Sequence, residues 1–153
     1  MQNSGTEVRL RAYRPADLEA LCRIDQICFA PGISYALEEL QDFVTTPGAR
    51  TWVAESGSSI AGFILGELEQ DEAVHVITID VLPEFRRLGV GSLLMDALEA
   101  WAAGLCKIAV LETAEDNLAA QSFYRKRGYR KLDVVKNYYP DGKAAWVMGK
   151  RLS

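Results

Sequence analysis

The sequence of 153 residues lacks several features by which specialised classes of protein are identified. It has no run of about 18 apolar residues, so no segment is long enough to span a membrane. Its first ten residues (MQNSGTEVRL) contain no apolar signal core, and we expect the protein not to be exported. Its three cysteines, Cys22, Cys28 and Cys106, have no CxxC spacing. This favours reduced thiols in a cytoplasmic protein and indicates neither a zinc site nor a disulfide framework.

Positive charge is scarce in the first part of the chain. Residues 1–85 carry 5 Lys and Arg against 14 Asp and Glu, whereas residues 86–153 carry 12 against 7. The contrast indicates either solvated helix faces that happen to differ, or a bipolar protein that binds a cationic ligand on its first half and an anionic one on its second. Because the whole chain has a net charge of −4, we expect no nucleic-acid partner.

Hydrophobic periodicity predicts one mixed α/β unit without repeats or long linkers. The strand at 73–82 (AVHVITIDVL) does not alternate cleanly, as expected of a strand that is covered on both faces. After it, apolar residues at 90, 93, 94, 97, 98 and 101 mark one helix face. The predicted order is a strand at 6–13, a helix from Pro15, a short helix up to about Thr45, strands at 50–56, 59–69 and 73–82, a helix at 89–103, a strand at 107–114, a helix from Asn117 to Gly128, and two strands joined by a turn at 140–142.

Two glycines stand between the buried strand and the helix that follows it. A glycine-bearing loop at a helix N-terminus is a ready anion site, because backbone N–H groups converge there and the helix dipole favours negative charge. The spacing is not that of a Walker loop, which requires GxxxxGK[ST]. It is not a Rossmann fingerprint either, since Leu94 occupies the position of the third glycine.

The segment Arg86–Gly91 (RRLGVG) fits the [Arg/Gln]-x-x-Gly-x-[Gly/Ala] signature and resembles that of the Gcn5-related N-acetyltransferases (GNAT). From about Thr6 onward the order of elements is similar to that family. Residues 110–148 resemble its Nα-acetyltransferases, both the bacterial ribosomal-protein-alanine type and the archaeal type. The resemblance implies a single N-acetyltransferase domain over residues 1–153 of the α/β class, with a mostly antiparallel seven-stranded sheet flanked by about four helices.

The resemblance implies acetyl-CoA as the acetyl donor and no metal. Asn117 is expected to cap its helix and to contact CoA. We expect Asp80 to act through its backbone and not its side chain, the alternative being a bulge residue that faces solvent. The implied cofactor contacts are the backbone of Ile79, Asp80 and Val81 for the pantetheine arm, and the segment Arg86, Arg87, Leu88, Gly89, Val90, Gly91 and Ser92 for the pyrophosphate.

Three residues are candidates for the chemistry of acetyl transfer. Glu112 is predicted to be the base, because it ends an apolar strand and a carboxylate there must be satisfied or used, the alternative being a salt-bridged residue at the strand end. Tyr124, seven residues after Asn117 on the same helix face, is the candidate acid, the alternative being a core tyrosine. His75 resembles a histidine that assists amine deprotonation in archaeal members, the alternative being a core histidine. Transfer is expected to be direct, in a ternary complex.

The acceptor is the least determined part of the function. Tyr138 and Tyr139 resemble an aromatic pair that holds the first residues of a peptide, and Phe29, Ile33 and Tyr35 are expected to form the opposite wall. Here the chain departs from the bacterial pattern, with Pro-Gly-Ile-Ser at 31–34 in place of Pro-Trp-Ser. The acceptor is therefore either a protein N-terminus or a small amine such as a polyamine or an antibiotic. A non-catalytic acyl-CoA-binding module ranks lower, and the expected state is a monomer or homodimer.

Overall fold

The predicted elements occur in the predicted order in a computed structural model, which describes residues 7–70 and 72–152. Thr6, where the first predicted strand begins, lies outside these residues. No helix in the described part is long and apolar enough to cross a membrane. The strands are β1 (Arg9–Ala12), β2 (Ala49–Ser56), β3 (Ser59–Glu69), β4 (Ala73–Val81), β5 (Ile108–Ala114), β6 (Arg130–Val135) and β7 (Ala145–Arg151); the helices are α1 (Leu18–Cys28), α2 (Leu37–Thr45), α3 (Val90–Ala103) and α4 (Leu118–Lys126).

All seven strands belong to one sheet, in the order β1-β2-β3-β4-β5-β7-β6. Every neighbouring pair is antiparallel except β4 and β5, which run parallel. The expectation of a mixed α/β fold with a mostly antiparallel seven-stranded sheet and about four helices is therefore confirmed.

The single parallel pair separates along its length. Pairing between β4 and β5 ends at His75 and Val110, although β4 continues to Val81 and β5 to Ala114. On its other side β4 carries a bulge at Ile77, which is the extra residue where the β3 register shifts. The two strands thus diverge and leave an open edge in the middle of the sheet.

Helices cover both faces of the sheet. On one face α1 and α2 pack on Phe63 and Leu65 of β3, with Leu21 and Leu40 fully buried. On the other face α3 buries Val90, Leu94, Met95 and Leu98. The prediction that Leu93 shares this buried face is wrong: its side chain is 42% exposed, and Met95 is buried instead.

The ends of α4 and the final turn follow the local signals in the sequence. The Asn117 side chain accepts the backbone N–H of Ala120 at 3.1 Å, which confirms the predicted N-cap. After the helix, Gly128 adopts a left-handed φ of 98°. The predicted turn at 140–142 is confirmed by the Gly142 N–H, which donates to the Tyr139 carbonyl at 2.8 Å.

Candidate active site

A cleft of about 990 Å³ opens where β4 and β5 diverge. Its walls come from these two strands, the N-terminus of α3, α4, the segment between α1 and α2, and the turn before β7. All of the predicted site residues line it except His75 and Leu88. Leu88 is 47% exposed. His75 does not line the cleft itself but forms a hydrogen bond with Glu112, which does.

The loop that leads into α3 has the shape of an anion cradle. Arg87 and Gly89 have left-handed φ values of 65° and 83°, which turns the backbone sharply before the helix starts. The first N–H groups of a helix have no intrahelical acceptor, and residues 89–92, where α3 begins, line the cleft. At Gly91 a Cβ atom would lie 3.3 Å from the Phe123 ring, so the absence of a side chain lets Phe123 of α4 pack closely against the start of α3.

The strand beside this loop is held by two tight contacts. Arg86 Nε donates to the Val81 carbonyl at 2.9 Å, so that carbonyl is engaged within the protein. A Cβ atom at Gly62 would collide with the Asp80 carbonyl oxygen, which means that only glycine permits this spacing of β3 and β4. Sequence reasoning missed Gly62, since a glycine inside a strand indicates a close approach without naming its partner.

His75 and Glu112 form a pair at the point where the strands part. His75 Nε2 lies 2.7 Å from Glu112 Oε1, and His75 Nδ1 lies 3.4 Å from Glu69 Oε2. Burial alone lowers the pKa of His75, but the hydrogen bond and charge of Glu112, with Glu69 and Glu67, raise it to a net value above the ordinary one. The surrounding carboxylates therefore favour the protonated form of the imidazole.

Replacing His75 by Gln is expected to flatten the pH dependence of stability above about pH 6.5. The folded-state pKa of His75 is raised, so its stabilising effect is complete below the unfolded-state pKa and is lost as pH rises through the folded value. Urea unfolding between pH 6 and 8 measures this. An identical decline in both proteins would contradict the assigned ion pair.

Aromatic side chains surround the Glu112 carboxylate on its open side. The pKa of Tyr138 is raised by burial and by the charge and hydrogen bond of Glu112. Burial and the charges of Tyr138 and Glu112 raise the pKa of Tyr139 to about 12. Across the cleft, Tyr35 packs edge-on against Phe43 at 5.2 Å between ring centroids. The structure thus brings Tyr35, Tyr138 and Tyr139 near one carboxylate, and Phe29 and Ile33 line the same cleft.

Tyr124 lies deeper in the cleft. Its side chain is 8% exposed and packs between Phe123 and Tyr129, at centroid distances of 5.4 and 5.8 Å. Burial raises its pKa above the ordinary value, and the charges of Asp80 and Tyr139 add to this effect. The phenol therefore stays protonated throughout the neutral range.

The side chain of Asp80 does not face solvent. It is 1% exposed and accepts a hydrogen bond from the Thr78 hydroxyl, so the alternative of a solvent-facing bulge residue is wrong. Its neighbour is the equally buried Asp25 of α1, which sequence reasoning missed. The available signal was an acidic residue beside the apolar positions Leu21 and Ile24 of the same helix.

The sequence matches the acetyltransferase (GNAT) family over residues 18–129. A protein of Methanocaldococcus jannaschii described as an uncharacterized N-acetyltransferase is 31% identical over 144 residues, which cover 93% of this chain and 90% of that protein. An N-alpha-acetyltransferase of Sulfurisphaera tokodaii is 28% identical over 166 aligned positions, which cover 97% and 95% of the two chains.

A solved structure with the same architecture is Ard1 from Thermoplasma volcanium. It superposes with a TM-score of 0.87 at 28% identity, and the match covers 94% of this chain and 97% of that one. The similarity therefore runs through the whole cleft and not only through the loop at the start of α3.

Proposed function

The chain belongs to the acetyltransferase (GNAT) family, and from that premise we propose that it transfers the acetyl group of acetyl-CoA to the α-amine of a protein N-terminus. As a member of this family it is an N-acetyltransferase. The choice of acceptor rests on one observation. The Glu112 carboxylate lies in a groove whose walls include Tyr35, Tyr138 and Tyr139. We further propose that residues 1–153 form one domain, because the sheet joins strands from Arg9 to Arg151.

The cleft fits acetyl-CoA, which supplies an activated acetyl thioester when bound. The N–H groups at 87–92, turned by Arg87 and Gly89, would hold the pyrophosphate, and Asn117 at the start of α4 would contact the same molecule. Residues 79–81 pair with β3, but on the side that faces β5 they have no strand partner in the described part of the chain, and this free edge would align the pantetheine arm. These residues bind and orient the donor without taking part in bond making.

Glu112 is the proposed base. An attacking amine must be neutral and must lose a further proton as the amide forms. The Glu112 carboxylate is positioned by His75 and opens to the cleft between the tyrosines, so it can accept that proton. His75 fixes the orientation of the carboxylate, which makes it a positioning residue in this scheme.

Tyr124 is the proposed donor to the departing thiolate, and transfer is proposed to be direct. The only cysteine among the described cleft residues is Cys28, whose Sγ lies 3.4 Å from the Val81 carbonyl. Burial, with the charge of Asp80, raises the pKa of Cys28 to about 11. A thiol that remains protonated is a poor nucleophile, which argues against an acetyl-cysteine intermediate.

Glu112 is better suited to deprotonate an α-amine than a lysine side chain. At pH 7 an α-amine, with an ordinary pKa of about 7.7–8.0, costs about 1 kcal/mol to neutralise, whereas lysine, at about 10.4, costs about 4–5 kcal/mol. A single carboxylate that is hydrogen-bonded to a histidine is a modest base. The relatives described as N-alpha-acetyltransferases over nearly their full length favour the same acceptor.

A panel of amines tests this function. The protein is mixed with acetyl-CoA and one of three acceptors: a peptide with a free N-terminus, the same peptide with a blocked N-terminus and an internal lysine, and spermidine. Thiol release should be at least about tenfold faster with the free N-terminus, given the cost of neutralising the other amines. If only spermidine is acetylated, this proposal is replaced by a small-amine acetyltransferase. If only the blocked peptide is acetylated, it is replaced by a lysine acetyltransferase.

A further inference from the structure

The cleft contains a second pair of acidic side chains, separate from Glu112. Asp25 comes from α1 and Asp80 from β4, and each is 1% exposed. The two side chains interact, because Asp80 senses Asp25 both through a side-chain hydrogen bond and through its charge. Each also has one ordinary partner: Asp25 Oδ2 accepts the Tyr35 backbone N–H at 2.7 Å, and Asp80 Oδ1 accepts the Thr78 hydroxyl.

The two remaining oxygens determine the protonation state of the pair. Asp25 Oδ1 and Asp80 Oδ2 are both buried, and neither has an N–H or O–H partner in the described part of the chain. Two ionised carboxylates in this position would repel each other and leave two desolvated acceptors unsatisfied. One proton held between the two oxygens removes both problems.

We propose that Asp25 and Asp80 share one proton, and that the protonated pair is a latch that positions Tyr35 in the acceptor groove. The chain of contacts runs from β4 through the shared proton to Asp25, and from Asp25 to the Tyr35 backbone. These contacts connect β4, the strand proposed to align the donor, with the wall of the acceptor groove that contains Tyr35. Asp25 and Asp80 are thus positioning residues, and the role of the latch in acceptor binding rests on the proposed function.

The surroundings favour the protonated form. Burial raises the pKa of Asp80 well above the ordinary value, and Asp25 adds to this through its hydrogen bond and charge. The Thr78 hydroxyl and the Arg86 charge oppose the shift without reversing it. The other titratable groups that sense Asp80 are Cys28 on α1 and Tyr124 on α4, and burial raises the pKa of both, so neither ionises near neutral pH.

The shared proton can be tested without any assay of activity, because the pH dependence of stability gives the number of protons taken up on folding. Between pH 5 and 6 the unfolded chain has lost this proton and the folded chain keeps it, so stability falls as pH rises. In Asp80→Asn an amide N–H replaces the proton. We therefore compare the slope of the logarithm of the unfolding constant against pH in the two proteins. The wild-type slope should exceed that of Asp80→Asn by about one unit per pH unit.

Asp17→Asn is the matched control for this measurement. Asp17 is also a buried aspartate, but its carboxylate accepts two hydrogen bonds from Arg11, at 2.8 and 2.9 Å, which lower its pKa. It is ionised in both states above pH 5, so its removal should shift stability without changing the slope. Equal slopes in wild type and Asp80→Asn would overturn the shared proton. Asp25→Asn repeats the test, and failure of both amide variants to fold at pH 5 would also overturn it.

The latch itself is tested at the Tyr35 amide. Asp80→Ala removes the partner of Asp25, and hydrogen exchange at Tyr35 should become about tenfold faster, whereas Asp80→Asn should retain wild-type protection. In the peptide assay Asp80→Ala should raise KM for the peptide about tenfold. Unchanged Tyr35 exchange in Asp80→Ala would overturn the latch. If no peptide is acetylated, the slope and exchange results still decide the inference, and only the proposed function fails.

Discussion

Replacing Glu112 by Gln should lower kcat for a free N-terminal peptide by about 10²–10⁴-fold at pH 7, the range for loss of a general base. The amide has nearly the same shape, and its carbonyl can still accept the hydrogen bond from His75, so the geometry of the pair is kept while the proton acceptor is lost. The deficit should narrow at pH 9, because a free α-amine is already neutral there. Steady-state kinetics from pH 6 to 9 measure both effects.

Glu69→Gln is the matched control for the Glu112 substitution. Glu69 also faces His75, but at 3.4 Å and with a side chain that is 48% exposed, so its removal should change kcat by less than about threefold. Calorimetry should show unchanged CoA affinity in Glu112→Gln, because no predicted contact to CoA involves this carboxylate. A kcat of Glu112→Gln within about threefold of wild type would remove the residue from the mechanism.

The sequence allowed the fold to be predicted wherever short-range signals decide it. Asn117 and Gly128 bound α4 because a side-chain cap and a left-handed glycine act within a few residues. The turn that places Tyr138 and Tyr139 over the cleft follows from Pro-Asp-Gly at 140–142. These signals need no knowledge of the rest of the chain.

Contacts that depend on register or on distant packing could not be predicted in this way. His75 meets Glu112 because His75 lies beside Val110, and Glu112 is two residues further along on the same face. Leu93 fits the helical stripe as well as Leu94 does, but the sheet contacts a face of α3 that includes Met95. Asp25 and Asp80 are 55 positions apart, and neither indicates the other in the sequence.

One cleft thus holds two acidic sites, and we propose a different task for each. Glu112 is hydrogen-bonded to His75 and contacts the open groove, where it can reach an acceptor amine. Asp80 is buried against another aspartic acid, and this raises the pKa of Asp80. The proposed tasks are proton acceptance at Glu112 and structural support at Asp80.

Replacing Tyr124 by Phe should lower kcat by about 10²-fold, the usual loss when a donor to developing negative charge is removed. Burial raises the pKa of this phenol above that of an ordinary thiol, near 8.5, so complete proton transfer to the thiolate is unfavourable in the cleft. A hydrogen bond that strengthens as the carbon–sulfur bond breaks is the contribution that the geometry supports. Because the phenol does not ionise between pH 6 and 9, the loss should be the same across that range.

This constant loss distinguishes Tyr124 from Glu112, whose deficit narrows at high pH. Tyr129→Phe is the matched control, since Tyr129 is equally buried but donates its hydroxyl to Glu99 at 2.9 Å, outside the cleft. That variant should lose stability and keep its kcat once folded. An equal loss of kcat in both variants would mean that Tyr124 acts through packing alone, and the departing thiolate would then require another donor.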